Sequence, residues 1–139
     1  MNIELWSLFG VTIIFWISVF IQQIQLDKAG GTKYALSNRE QDHAFDGATA
    51  LTGRLTRNVR NHVEGIAMFA PLVMIAAVTG TSNFWTETAA LLFLASRALH
   101  FVFYTGGVTP FRSFAWGVGF FLAIGGFVYG LTSVHVSLF

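Results

Sequence analysis

Residues 5–26 read LWSLFGVTIIFWISVFIQQIQL, an uninterrupted stretch without a charged side chain. At about 1.5 Å per residue, a helix of this length crosses a hydrocarbon core of roughly 30 Å. The short leader holds Glu4 and no basic residue, and no small-x-small cleavage site follows the stretch, unlike a secretory signal peptide. We therefore predict a retained first membrane helix.

Three further apolar stretches complete the predicted fold. They cover approximately residues 60–80, 87–104 and 113–134. The second contains Pro71, which membrane helices tolerate because neighbouring groups satisfy the freed backbone. The sequence thus predicts an all-α integral membrane protein, a four-transmembrane-helix bundle that forms one transmembrane domain over residues 1–139.

Composition supports a membrane location and excludes several function classes. Hydrophobic residues make up 54% of the 139 residues and charged residues 11%, against about 25% in a typical soluble domain. The mean hydropathy is +0.61. A net charge of +1 argues against a nucleic-acid partner. With no cysteine, the chain has no disulfide, no thiolate metal site and no cysteine nucleophile, so any thiol chemistry requires a thiol from a substrate.

Basic residues are concentrated at one end of the predicted bundle. Seven of the eight precede the second span or lie in the third link: Lys28, Lys33, Arg39, Arg54, Arg57, Arg60 and Arg112. The positive-inside rule makes this end cytoplasmic. Both termini are then predicted to lie on the non-cytoplasmic side.

The first link is long and polar, and it becomes helical from about Ala48. In it, Asp42 and Asp46 flank His43. We interpret these three as solvated loop residues, with a role on the substrate side as the alternative. The four histidines of the chain have no spacing typical of a metal site.

The third span carries a polar stripe. Arg97, His100 and Tyr104 stand at i, i+3 and i+7 on one face of an otherwise apolar helix. An ionisable group inside a span costs on the order of 3 kcal/mol or more, so it usually faces a bundle interior or a polar cavity. We expect this stripe to line a cavity that opens toward the cytoplasmic end.

The second span begins with a similar stripe. Arg57, Arg60, Asn61 and Glu64 share one face at the same membrane level. The Glu64 carboxylate needs a cationic partner there, either Arg97 or an arginine of another subunit. Several guanidinium groups with one carboxylate suit a small ligand that has more than one carboxylate and an amine.

Each of these residues also has an ordinary structural interpretation. Arg57 and Arg60 can be snorkelling interface residues, and Glu64 with Arg97 can be a structural ion pair. His100 can be a hydrogen-bonded packing residue, and Tyr104 a member of an aromatic belt. These interpretations weaken because all the residues occur at one membrane level on two helix faces.

Arg112 and Ser113 stand at the head of the fourth span. A guanidinium there can lower the pKa of a bound thiol from about 8.5 by stabilising the thiolate. Ser113 can donate a hydrogen bond to that sulfur or cap the helix.

The fourth span also has a face of small residues, at Ala115, Gly119, Ala123, Gly126 and Gly130. Such a face lets helix backbones approach closely in lipid, either within the chain or between subunits.

The ordered set of these motifs resembles the MAPEG family, the membrane-associated proteins in eicosanoid and glutathione metabolism. The resemblance rests on Arg57-x-x-Arg60-Asn61-x-x-Glu64, Phe69 with Pro71, Arg97-x-x-His100-x-x-x-Tyr104, and Arg112-Ser113. It covers nearly the whole chain, and the pair Arg112-Ser113 resembles that of microsomal prostaglandin E synthase. Gly65 stands where leukotriene synthases carry a tyrosine, which argues against that subgroup.

The resemblance implies a homotrimer of four-helix bundles that binds glutathione between protomers near the cytoplasmic face. It implies that Arg57, Arg60, Asn61 and Glu64 hold the peptide from one subunit. Arg97, His100 and Tyr104 would assist from the neighbour's third helix or support the site, and Arg112 would stabilise the thiolate.

Three function classes follow. The first is a glutathione-dependent membrane transferase or peroxidase that acts on apolar electrophiles, with no metal. The second is a non-catalytic lipid-binding or scaffold member of the same fold. The third is a small transporter or channel, which ranks last because the charges cluster at one end only.

Overall fold

The computed structural model describes residues 1–37 and 49–136, apart from the side chains at 32–35 and 134–136. Arg39, Asp42, His43 and Asp46 lie outside the described residues, as does the side chain of Lys33. The described residues contain helices and no strand. The helices are α1 (Ile3–Ala35), α2 (Ala50–Thr79), α3 (Phe84–Gly106), α4 (Thr109–Gly117), a π-helical segment (Val118–Ile124) and α5 (Gly125–Val136).

Four stretches of these helices are long and apolar enough to cross a membrane. They are Ile3–Gly31, Ala50–Thr79, Phe84–Gly106 and Thr109–Ser133, the last of which runs through α4, the π-helical segment and most of α5. The prediction of four apolar helices in an all-α chain is therefore confirmed. We refer to α4, the π-helical segment and α5 together as the fourth helix.

The first helix extends beyond the apolar stretch that predicts it. The predicted span ends at Leu26, whereas the helix continues to Gly31, where φ of 73° and ψ of 171° interrupt it. Within this extension the side-chain amide of Gln23 donates to Asp27 Oδ1 at 2.6 Å, one helical turn away. Hydropathy marks where lipid ends, and a helix can continue into the polar interface because its backbone hydrogen bonds are internal.

Side chains and glycines define the ends of α2 and α3. Thr49 caps α2 in a capping box with Thr52, and Asn83 caps α3 by accepting from the backbone N–H groups of Trp85 and Thr86. Gly107 closes α3 with a φ of 75°, a left-handed conformation that costs glycine little.

The start of the fourth helix differs from its prediction. The predicted span begins at Ser113, with Ser113 as a possible cap, whereas α4 begins at Thr109 with Val108 in the N-cap position. Pro110 fits the first turn because it lacks the N–H that would be unpaired there. The capping prediction for Ser113 is therefore wrong: its hydroxyl donates to the Thr109 carbonyl at 3.4 Å inside the helix.

The third helix is the centre of the bundle. α3 packs against α1, α2 and all parts of the fourth helix, whereas α1 and the fourth helix do not meet within the described residues. The core forms around Phe69 of α2, whose ring stacks on Phe93 of α3 at 4.2 Å between centroids and meets Phe127 of α5 edge-on at 5.8 Å. These rings provide the interhelical van der Waals contact that lipid-embedded helices need.

The small-residue face of the fourth helix packs against α3 of the same chain. A Cβ placed on Gly119 would collide with Ser96 and lie 2.8 Å from Arg97 Nη2. One placed on Gly130 would lie 3.0 Å from the backbone nitrogen of Thr86. The side-chain amide of Asn83 also donates to the Gly130 carbonyl at 2.9 Å. Of the two predicted uses of this face, the structure shows packing against α3 of the same chain.

A buried carboxylate fixes the opposite end of the bundle. Glu4 is fully buried, and its Oε1 accepts hydrogen bonds from Thr86 Oγ1 at 2.7 Å and from Ser82 Oγ at 2.9 Å. These bonds connect the first turn of α1 to the link between α2 and α3 and to the first turn of α3.

We expect Gly130→Ala to lower the midpoint of thermal unfolding in detergent, because the added methyl meets the backbone of α3. Overpacking of this kind typically costs about 1–3 kcal/mol. The matched control is Gly125→Ala in the same helix, whose added Cβ meets nothing within 4 Å. Gly125→Ala should leave the midpoint unchanged or raise it slightly through helix propensity. Equal effects of the two variants would contradict the close approach.

Candidate functional site

A cavity of about 200 Å³ lies at the end of the bundle where α3 ends and α4 begins. It is lined by Asn61 of α2, His100 and Tyr104 of α3, and Arg112, Ser113 and Trp116 of α4. Five of these six residues belong to the site predicted from the sequence; Trp116 is the addition. The short turn at Gly107 and Val108 reverses the chain, so the start of α4 lies beside the last turn of α3.

Tyr104 connects the basic residues around this cavity. Its hydroxyl oxygen accepts a hydrogen bond from Arg57 Nε at 3.2 Å, and its ring lies under the Arg112 guanidinium, 4.6 Å from Cζ to the ring centroid. The imidazole of His100 lies 5.2 Å from the same ring. Stacking on an aromatic face holds a guanidinium without using its N–H groups. Arg112 forms no ion pair within the described residues, so its donors remain available for an anion in the cavity.

Arg97 and Glu64 lie away from this cavity. Both line a narrow cleft of about 50 Å³ deeper in the membrane, together with Gly65, Met68, Phe93, Trp116, Phe120 and Ile124. Arg97 is only 2% exposed; its guanidinium lies over the Phe93 ring at 5.3 Å, and no described residue forms a hydrogen bond with its Nε. Trp116 lines both the cavity and the cleft, so the two adjoin. The predicted cluster is therefore divided between two neighbouring spaces.

The partner of Glu64 is the arginine one turn before it on the same helix. Arg60 Nε lies 3.2 Å from Glu64 Oε1, and the two side chains are 81% and 54% exposed. Within the described residues, neither Arg97 nor any arginine other than Arg60 pairs with this carboxylate. The pair therefore stands on the outer surface of the bundle, on a helix that is long and apolar enough to cross a membrane.

Sequence reasoning missed two polar residues of the α2 core. Asn58 and His62 are fully buried, and the His62 ring lies 6.2 Å from that of His100. Neither the Asn58 amide nor the His62 imidazole has a hydrogen-bond partner within the described residues. A signal for them exists, since the buried stripe of α2 formed by Ala76, Val73, Phe69 and Gly65 continues at the same spacing to His62 and Asn58.

The site has no metal centre among the described residues. No group of three or more His, Asp or Glu side chains converges there on a position that could hold an ion. The groups available for an anionic ligand are instead the guanidinium groups of Arg57 and Arg112, the amide of Asn61 and the hydroxyl of Ser113.

The model of the MAPEG family matches residues 3–132, nearly the whole chain. The chain therefore belongs to the MAPEG family, whose members use glutathione in the membrane and include transferases as well as non-catalytic proteins. A search of curated proteins found no match to the chain.

We expect Tyr104→Phe to remove the hydrogen bond from Arg57 while keeping the ring under Arg112. The free energy of unfolding, measured by SDS titration in mixed micelles, should fall by about 0.5–1.5 kcal/mol. A double-mutant cycle with Arg57→Ala should give a coupling energy of similar size.

The control for Tyr104→Phe is Tyr129→Phe, because Tyr129 is exposed and its ring forms a T-shaped pair with that of Trp85 at 5.1 Å between centroids. This control should change the free energy of unfolding by less than about 0.5 kcal/mol. Strict additivity of the Tyr104 and Arg57 substitutions would contradict the hydrogen bond.

Proposed function

We propose that this protein is a membrane-bound glutathione-dependent transferase or peroxidase that acts on apolar electrophiles. The observation that carries the proposal is the Arg112 guanidinium, which is held at the cavity by the ring of Tyr104 and pairs with no carboxylate of the described residues. A cation in this arrangement can be neutralised by an incoming thiolate. Membership in a family that uses glutathione supplies the thiol.

Glutathione matches the polar groups that surround the cavity. It has two carboxylates, one amine and one thiol, and planar guanidinium groups bind carboxylates through paired hydrogen bonds. We assign Arg57, Asn61, His100 and Tyr104 to binding of the peptide in the cavity. Arg60, Glu64 and Arg97 contribute from the adjoining cleft and the exposed face of α2, with Glu64 as the acceptor for the amine.

Arg112 acts on the sulfur. The thiol of free glutathione releases its proton at a pKa of about 8.5 or higher, and a neighbouring guanidinium lowers this value because it favours the charged form. The proton leaves to solvent. We propose that Ser113, beside Arg112 on the cavity wall, turns its hydroxyl away from the Thr109 carbonyl and donates a hydrogen bond to the same sulfur.

The thiolate then has two balanced routes. With an aryl halide, a sulfur–carbon bond forms and the halide leaves with the bonding electrons. With a lipid hydroperoxide, sulfur attacks the terminal oxygen and the O–O bond breaks; the alcohol takes up a proton, and glutathione sulfenic acid forms. A second glutathione converts the sulfenic acid into the disulfide and water.

We further propose that the complete site forms between protomers of a homotrimer. A cavity of about 200 Å³ is below the usual range of about 300–1,000 Å³ for a small-molecule site. The Arg60–Glu64 pair also needs cover, since an exposed ion pair inside a span is costly in lipid. A neighbouring subunit would supply both the missing wall and this cover, with the site at the cytoplasmic end.

The test is conjugation of glutathione to 1-chloro-2,4-dinitrobenzene by the detergent-solubilised protein. Arg112→Ala should lower kcat by at least about tenfold at pH 7, because less of the bound thiol is ionised. The loss should shrink at pH 9, where glutathione ionises without help. Arg112→Lys keeps the charge but not the planar group, so its activity should lie between those of the wild type and Arg112→Ala. Equal activity of wild type and Arg112→Ala at pH 7 would overturn the role of Arg112.

A glutathione titration separates binding from chemistry. The wild type should show a glutathione-dependent rise in the midpoint of thermal unfolding, as expected for a ligand that binds only the folded state. Absence of this rise would favour a non-catalytic lipid-binding or scaffold protein. A rise in the midpoint without conjugation activity would show that glutathione binds but that its thiol does not react.

A further inference from the structure

A second and larger cavity lies on the other side of Arg112. It has a volume of about 470 Å³ and is formed where α2 begins and α3 turns into α4. Its lining consists of Thr49, Ala50, Gly53, Arg54, Arg57, Gly107, Thr109 and Arg112. We refer to it as the arginine vestibule. Arg54 belongs to it and not to the proposed glutathione site.

The charge of the arginine vestibule is unbalanced. Three guanidinium groups line it, and no carboxylate of the described residues does. None of the three forms an ion pair within the described residues. Like charges that share one concave space repel each other, and the potential they create attracts an anion.

Arg54 is held so that it faces this space. Its guanidinium lies against the turn after α3, where a Cβ on Gly107 would be 3.3 Å from Arg54 Nη1. Its Nε is buried and has no hydrogen-bond partner within the described residues. A buried donor without a partner is costly, and an anion oxygen would satisfy it.

The backbone of α2 adds to the positive potential. The vestibule contains Thr49, Ala50 and Gly53, which form the cap and first turn of a 30-residue helix. The first turn contains no acidic residue to offset the positive end of the helix dipole. The site thus combines three cations with a helix N-terminus.

From this geometry we infer that the arginine vestibule binds the phosphomonoester headgroup of a membrane lipid. A phosphomonoester has a charge of about −1.5 to −2 near neutral pH and several acceptor oxygens, which three forked guanidinium groups match better than a singly charged diester does. The vestibule lies at one end of helices that are long and apolar enough to cross a membrane, and basic pockets between helices at a membrane surface are suited to anionic headgroups. Arg57 and Arg112 also serve the proposed glutathione site, so the two ligands would compete for these two guanidinium groups, whereas Arg54 serves the vestibule alone.

The experiment follows thermal unfolding of the purified protein in non-ionic detergent, without glutathione, at constant ionic strength. The probes are dioctanoyl phosphatidic acid, which has a phosphomonoester, dioctanoyl phosphatidylglycerol, which is an anionic diester, and inorganic phosphate. We expect a saturable rise in the midpoint with phosphatidic acid and an apparent affinity at least about tenfold weaker for phosphatidylglycerol.

The variants localise the effect. Arg54→Gln should weaken the apparent affinity for phosphatidic acid by at least about tenfold, since a charge-assisted donor pair is lost. The matched control is Lys28→Gln, which removes one exposed cation at the same end of the bundle but outside the vestibule. It should stay within about twofold of wild type. If Arg54→Gln does not fold, Arg54→Lys replaces it in the test. This variant should show a smaller difference between its apparent affinities for phosphatidic acid and phosphatidylglycerol than the wild type does.

Three results would count against the inference. Equal responses to phosphatidic acid and phosphatidylglycerol, or equal effects of Arg54→Gln and Lys28→Gln, would overturn it in favour of diffuse surface charge. If inorganic phosphate binds as tightly as phosphatidic acid, the claim that the bound phosphate group belongs to a lipid is wrong. None of these readouts involves glutathione, so failure of the proposed transferase activity would be recognised separately.

Discussion

The close packing of the fourth helix on α3 is the constraint on which the candidate site depends. Gly119 and Gly130 leave no room for a Cβ between the two backbones, and Gly107 lets the chain reverse in a short turn. Together they bring Arg112 over the ring of Tyr104. In a bilayer, where the hydrophobic effect does not drive helices together, such backbone contact is a principal source of stability. A wider separation would leave the arginine without its aromatic support.

Hydropathy predicted the number and nature of the spans because lipid permits only long apolar helices or closed barrels. It did not predict where the helices end, since α1 and α4 extend into polar sequence whose backbone bonds remain internal. Helical periodicity likewise predicted which residues share a face. It gave one stripe with His100 and Tyr104 and another with Asn61, and in the structure these three residues line one cavity with Arg112.

Periodicity failed where the length of a side chain or a partner on the same helix decides where a polar group lies and what it binds. Arg97 shares a face with His100, but its long side chain extends toward Phe93 and the glycine face of the fourth helix. The Glu64 carboxylate finds Arg60 one turn away, which a search for partners on other helices overlooks. The spacing of His62 from the other histidines indicates no metal site, whereas its spacing from Phe69 puts it in the core.

The bond network at Glu4 also bears on how the chain is assembled. A ribosome completes the first helix before it adds Ser82 and Thr86, the two residues whose hydroxyls later bind the Glu4 carboxylate. The hydrogen bonds that hold the first turn of α1 against the start of α3 therefore depend on residues that are translated about eighty residues later.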